Sequence, residues 1–303
     1  MLQNFSYQDA LRASERIDWR VEDLIGTGSK LDFSKPFLPE RLAGVSSLDF
    51  LSPRERIVCN QIRGHGYLCM FGLAEEFILP FVLDHLRPQL GVDDFRTRAL
   101  LEFAAEEAKH IHLFKEFRAA FDAGFGVPCE FVGPPEAVRA QVLAHQPLAV
   151  AITILHIEWM TQRHYLDSVR SDLELDPLFV SLLKHHWMEE AGHAKLDTLM
   201  VHAYASGLDR HAVALAIDDY LKIGGLLDGL LRQQVEFDIA SLQRAIGRTL
   251  TEAEKSQARA AQTKANRWTF LGSGMSHPNL LATLEFILPG SRTRIEQTAQ
   301  AVS

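Results

Sequence analysis

The stretch "KHHWMEEAGHAK", Lys184 to Lys195, sets three histidines and two glutamates among twelve residues, between apolar flanks. A run that should be building a helical core carries titratable groups instead. Residues three or four apart share a helix face, so Glu190 and His193 form an ExxH pair, and His186, four before Glu190, joins their stripe. A solvated helix face can look the same. A second stretch, "AAEEAKHIH" from Ala104 to His112, decides between the two readings. It repeats the ExxH pair as Glu107 and His110, again between apolar flanks. Two ExxH helices, joined by one lone glutamate from each of two further helices, are the ligand pattern of di-iron and di-manganese carboxylate sites inside helix bundles.

The lone glutamates are present. Glu158 is the only acid between Pro147 and Leu166, and a carboxylate isolated in an apolar helix is costly unless paired or metal-bound. Upstream, "FGLAEEFILPF" offers Glu75 and Glu76. A helical wheel surrounds Glu75 with Leu68, Phe71, Ile78, Leu79, Val82 and Leu86 and favours it, with Glu76 as the alternative. Glu75 to Glu107 spans 32 residues, as does Glu158 to Glu190, so the set Glu75, Glu107, His110 recurs 83 residues later as Glu158, Glu190, His193. Two helical hairpins of equal reach would bring all six groups to one level. Four buried carboxylates without cations repel each other and take up protons. Two divalent ions neutralise them, and mixed imidazole and carboxylate donors suit iron or manganese. His186 has Phe103 as its counterpart, so one ion would gain an extra nitrogen. Asp197, four residues after His193, is placed to orient an imidazole.

The rest of the chain fits an all-α protein. "SPRE" at Ser52 to Glu55 is a capping box that opens a long helix to about Arg87. Asp93 or Asp94 opens a second helix, ending near Gly124. Pro147 begins a third, through about Val169, and Asp176-Pro177 a fourth, ending near Gly207. Asp209 starts a fifth, to about Ile246, "TEAE" at Thr251 to Glu254 caps a sixth, and His277-Pro278 leads into a short last one. The expected organisation is an irregular arm over 1–51, a single helical domain over 52–290 and a tail over 291–303. At 303 residues and 47% apolar, the chain can bury a sizeable core. A net charge of -8 argues against nucleic acid as a partner. Cys59, Cys69 and Cys129 form no CxxC, which points away from a thiolate metal site and towards a reducing compartment. The N-terminus has no apolar signal-peptide core, and the apolar stretch Pro147 to Met160 is too short for a bilayer, so a cytoplasmic protein with no membrane partner is expected.

The paired ExxH motifs with Glu75 and Glu158 resemble the ferritin-like di-iron carboxylate superfamily. Within it, the extra histidine in "HWMEEAGH" is similar to the p-aminobenzoate N-oxygenase family. The resemblance implies a four-helix bundle core with additional C-terminal helices. It implies two iron ions, with Mn/Fe as the variant, held by Glu75, Glu107, His110, Glu158, His186, Glu190 and His193. It further implies O2-dependent oxidation of an aromatic amine or related small organic substrate. Phe71, Phe103 and Leu155 are expected to wall the substrate pocket. "GTGS" at 26–29 lacks the strand and helix context of a dinucleotide site, so an external electron donor or reductase is expected. The two amphipathic C-terminal helices suggest a homodimer. A ferroxidase or iron-binding protein, a fatty-acyl desaturase-like oxidase and a non-catalytic helical interaction protein are the competing readings.

Overall fold

The structure is a computed structural model that describes residues 5–26 and 28–302; residues 1–4, Thr27 of the "GTGS" stretch and Ser303 lie outside it. Among the described residues there is no strand. Three short helices, α1 (Tyr7–Ser14), α2 (Val21–Leu24) and α3 (Glu40–Ala43), punctuate the N-terminal arm. Then come α4 (Pro53–Leu86), α5 (Asp94–Phe125), α6 (Pro135–Leu143), α7 (Pro147–His164) and α8 (Pro177–Ser206). The C-terminal part is built of α9 (Arg210–Ile246), α10 (Glu252–Arg267), α11 (Ser273–Met275), α12 (Pro278–Ile287) and α13 (Ser291–Ala301). Residues 291–301, expected as a tail, thus form a helix, and Ile295 and Ala299 anchor it in the core.

The helix ends follow local chemistry. Ser52 and Glu55 exchange their capping hydrogen bonds ahead of Pro53. Asp93 accepts from the Phe95 and Arg96 amides at 2.9 and 3.2 Å, and α5 stops at Gly126, whose φ of 87° is left-handed. Asp176 caps α8 through the Phe179 amide, while its other oxygen accepts from the Asp32 amide at 2.9 Å and ties the arm down. Asn60 of α4 completes that anchorage: its Oδ1 accepts from Phe37 and Leu38, and its Nδ2 donates to the Leu38 carbonyl.

α4 pairs with α5 and α7 with α8, and the two hairpins meet along α5 and α8. α9 lies against α4 and α7 on the opposite side, and α10 packs on α9. α4 is long and apolar enough to cross a membrane, but most of that window is buried inside the bundle and it carries Glu75. The bundle, and not a bilayer, satisfies its apolar surface. An aromatic cluster of Phe33, Phe37, Phe121 and Phe179 closes one end, with Phe37 stacked on Phe179 at 5.0 Å. Removing the Phe179 ring is expected to cost about 3–5 kcal/mol, read as a lowered urea midpoint.

Candidate metal centre

All seven residues singled out by the motifs are buried in the bundle, six of them within two groups of possible ligand atoms and Glu158 beside Glu190. Glu75 comes from α4, Glu107 and His110 from α5, Glu158 from α7, and His186, Glu190 and His193 from α8; none is more than 2% exposed. Two groups of possible ligand atoms form within 4.8 Å: Glu75, His110, His186 and Glu190, and Glu107, His110, Glu190 and His193. His110 and Glu190 belong to both. Glu190 Oε1 is 2.5 Å from His186 Nε2 and 3.4 Å from His110 Nδ1, while its Oε2 is 2.8 Å from His193 Nδ1. One carboxylate thus turns an oxygen to each side of the site. Glu75 Oε1 is 3.2 Å from His186 Nε2, and Glu107 Oε1 is 2.9 Å from His193 Nδ1. Glu76 turns away towards Arg139 and is partly exposed, which separates it from Glu75.

The inner atoms fit a pair of cations. Glu75 Oε2, both oxygens of Glu107, His110 Nδ1 and Glu158 Oε2 are buried without a hydrogen-bond partner. Native interiors leave few such atoms. Burial and the Glu107 charge push the Glu75 carboxyl well up; burial and Glu190 do the same to Glu158. Burial opposes the Glu107 carboxylate, but the neighbouring Glu75 carboxyl and His193 outweigh it and hold it down at about 2. Each carboxyl pair therefore retains a proton when no cation neutralises it. Hard carboxylate oxygens and imidazole nitrogens aimed at shared points are the donor set of iron or manganese.

The outer imidazole nitrogens have partners, and they cross between the hairpins. His193 Nε2 donates to Glu106 Oε2 at 2.8 Å, and His110 Nε2 donates to Glu189 Oε2 at 2.9 Å. Glu106 also accepts from Ser14 Oγ at 2.6 Å, and Glu189 from Lys109. Asp197 does not orient an imidazole. Glu106 occupies the nitrogen of His193 that it would have needed, and Asp197 is buried with both oxygens unpartnered. Burial pushes its carboxyl well up; Glu107 and Glu190 add to this against His193. The sequence signal for the true partners was the doubled glutamate. Each motif reads EExxH, and Glu106 and Glu189 stand 83 residues apart like the ligands themselves. Fixing the outer nitrogen sets the tautomer and ring orientation of a ligating histidine. Glu106→Ala and Glu189→Ala are each expected to weaken metal binding by about 10–100-fold, measured by competition with a chelator.

The N-terminal arm closes one side of the site. Trp19 lies near-parallel to His110, with centroids 6.4 Å apart, and Lys109 Nζ sits 4.1 Å from the Trp19 ring. An apolar cleft lies between α4, α7 and α9, lined by Met70, Phe71, Ala74, Ile157, Tyr220 and Leu227 among others; none of the seven residues lines it. Phe71 lines it and meets His186 edge-on, with ring centroids 5.4 Å apart. Phe103 and Leu155 do not line it: Phe103 stacks on His193 at 4.1 Å, and Leu155 is wholly buried. The helical wheel places both near the metals but does not say which side of the bundle is open. His156 and His164 of α7 clamp the π-helical turn Trp268–Gly272 through the carbonyls of Phe270 and Thr269, and receive the hydroxyls of Tyr220 and Tyr67. Burial pushes both histidines down, to about 4 and about 3.

No protein-family model matches the chain, and no curated protein does. Among solved structures, an R2-like ligand-binding oxidase with aerobically reconstituted Mn/Fe cofactor aligns at 15% identity and TM-score 0.49, covering 88% of this chain and 92% of that one. A point variant of such an oxidase, also with aerobically reconstituted Mn/Fe cofactor, aligns at 16% identity and TM-score 0.48, covering 88% and 93%. Likeness at that level leaves the centre to be judged on its own geometry.

Proposed function

We propose that this chain is an O2-dependent di-metal oxidoreductase that N-oxygenates an aromatic amine or a related small organic substrate. The observation that carries the reading is the shared Glu190, whose two oxygens face His186 and His193 at 2.5 and 2.8 Å among carboxylates that keep unpartnered buried oxygens. Glu75, Glu107, Glu158 and Glu190 would supply the charge, and His110, His186 and His193 the nitrogens, for two iron ions or one manganese and one iron. Such a pair, reduced by an external donor, supplies O2 activation. The chain's own side chains do the rest. Glu106 and Glu189 fix the imidazoles, Trp19 and α1 seal the solvent side, and Phe71 separates the histidine-rich edge from the cleft where a substrate would lie. An apolar wall excludes water, so that the substrate is met before solvent. The fold and its free cysteines suit a cytoplasmic setting.

A ferroxidase would use the same ligands but has no need of an apolar cleft beside them, and the cleft therefore favours an organic substrate. The test is anaerobic loading and reduction, then exposure to O2 with and without arylamine. The reading expects a transient visible absorption that decays faster with arylamine, together with hydroxylamine or nitro product. Iron mineral formation with no oxygenated organic product would replace it with the storage reading; alkenes formed from acyl carriers would replace it with the desaturase reading.

A further inference from the structure

The cleft beside the metal centre has a polarity of its own. None of its lining residues is acidic or basic apart from His156. That ring is buried, and among the described residues it is bonded by the Phe270 carbonyl at 3.2 Å and the Tyr220 hydroxyl at 2.7 Å and by no carboxylate. A carbonyl only accepts, so His156 Nε2 carries the hydrogen. In the neutral ring Nδ1 is then an acceptor, and the Tyr220 hydroxyl spends its one proton on it. The ring cannot swing to change this, because Gly274 packs on it so closely that an added Cβ would lie 2.3 Å from Nε2. Thr153, the remaining hydroxyl in the lining, spends its proton on the Ala149 carbonyl at 2.9 Å. Every side-chain polar group facing the cleft has therefore given away its donor and retains only lone pairs.

We propose that the cleft selects an uncharged molecule with an apolar body and a single hydrogen-bond donor, an amine or a hydroxyl, which donates to the Tyr220 oxygen. The inference rests on the reading of the cleft as the substrate site and narrows it. A carboxylated arylamine is excluded. Its anion would enter a wall with no cation and no side-chain donor, and an unpaired buried charge is far costlier than an unpaired neutral group. An amine fits because it brings the donor that the wall lacks, and because Tyr220, held by His156 and through it by the π-helical turn, presents its lone pair in a fixed place. Tyr220 and His156 are positioning residues in this scheme; neither has to take a proton from the substrate.

The test is calorimetric titration of the isolated protein, without O2 and at neutral pH, with three probes: 4-butylaniline, its N,N-dimethyl derivative and 4-aminobenzoate. We expect 4-butylaniline to bind and the dimethyl compound, which has no donor, to bind about tenfold more weakly, as befits one lost hydrogen bond. We expect 4-aminobenzoate to bind more than about 100-fold more weakly, because its charge finds no partner. In Tyr220→Phe the gap between the first two probes should narrow, since the fixed oxygen that accepts from the amine is gone. The wild-type series is decisive even if that variant does not fold. Comparable binding of 4-aminobenzoate and 4-butylaniline overturns the proposal, as does no binding of 4-butylaniline, or an unchanged gap between the amines in folded Tyr220→Phe. Binding is read without turnover. The expected order of affinities with no oxygenated product would retain the cleft's selectivity and remove the oxygenase reading, whereas product formed from 4-aminobenzoate would do the reverse.

Discussion

Glu190→Ala is expected to empty both metal positions at once, taking the chain from two ions to none detectable by elemental analysis. A carboxylate that served one ion alone would leave the other in place. Glu190 is different because its Oε1 faces His186 and His110 while its Oε2 faces His193, so that both groups of ligand atoms lose a member. The effect on turnover should exceed the ~10–100-fold that loss of a carboxylate bonded to a ligating histidine's outer nitrogen costs. Melting curves give an independent reading. Ions that bind only the folded chain stabilise it by about 4 kcal/mol at a thousandfold excess over Kd, which for a chain of this size raises Tm by roughly 6 °C. Anaerobic Fe(II) or Mn(II) should produce that rise in the wild type and none in Glu190→Ala. Glu76→Ala is the control: its side chain points to Arg139, so stoichiometry and melting shift should persist. Two ions retained by Glu190→Ala would refute the shared-ligand geometry.

The second large effect lies away from the metals. Asp238→Ala is expected to destabilise the fold by about 3–5 kcal/mol, because it strands a buried guanidinium. Arg63 of α4 is 3.7 Å from Asp238 of α9 and also donates to Asn266 of α10 and the Leu42 carbonyl. Asp238 in turn accepts from Gln234, which reaches Val132 and Glu130. One buried network therefore joins α4, α9, α10 and the turn before α6. The pair itself is not a source of net stability. Burial pushes the Asp238 carboxyl up to about 6 against the pull of Arg63, so desolvation outweighs the ion-pair attraction. The sign follows. Between the ordinary carboxylate range and about pH 6, the folded chain holds a proton that the unfolded chain has released, so this group's contribution to stability falls as pH rises through that window and is level above it. Denaturant midpoints across the window should show the slope in the wild type and lose it in Asp238→Ala. The double variant Arg63→Met, Asp238→Leu should recover most of the lost stability, since apolar replacement of a buried pair is often neutral or better. A double variant no more stable than Asp238→Ala would show that the network specifies helix placement beyond its charges.

The helices and the buried acids and histidines that meet at the candidate centre were legible in the chain because the signals for both are local. Caps at Ser52, Asp93, Asp176, Asp209 and Thr251 act within three residues of the helix they open, and each does so in the structure. An ExxH pair is a statement about one helix face, and the 83-residue recurrence carried it to the second hairpin. Helix α13 was missed because its sequence is polar on most faces. It is held by Ile295 and Ala299 against a core that no local window contains. What the tertiary structure alone decided is how the faces meet. Glu106 reaches His193 and Glu189 reaches His110 across 87 and 79 residues, so Asp197, four residues from its histidine, is left without that partner. The cleft likewise is lined by Phe71 and not by Phe103, because it lies against α9 and the π-helical turn, while Trp19 of the arm covers His110. Periodicity fixes which residues share a helix face, but the rotation of one helix against another is set by side-chain fit between elements far apart in the chain, and that fit determines what each buried acid can reach.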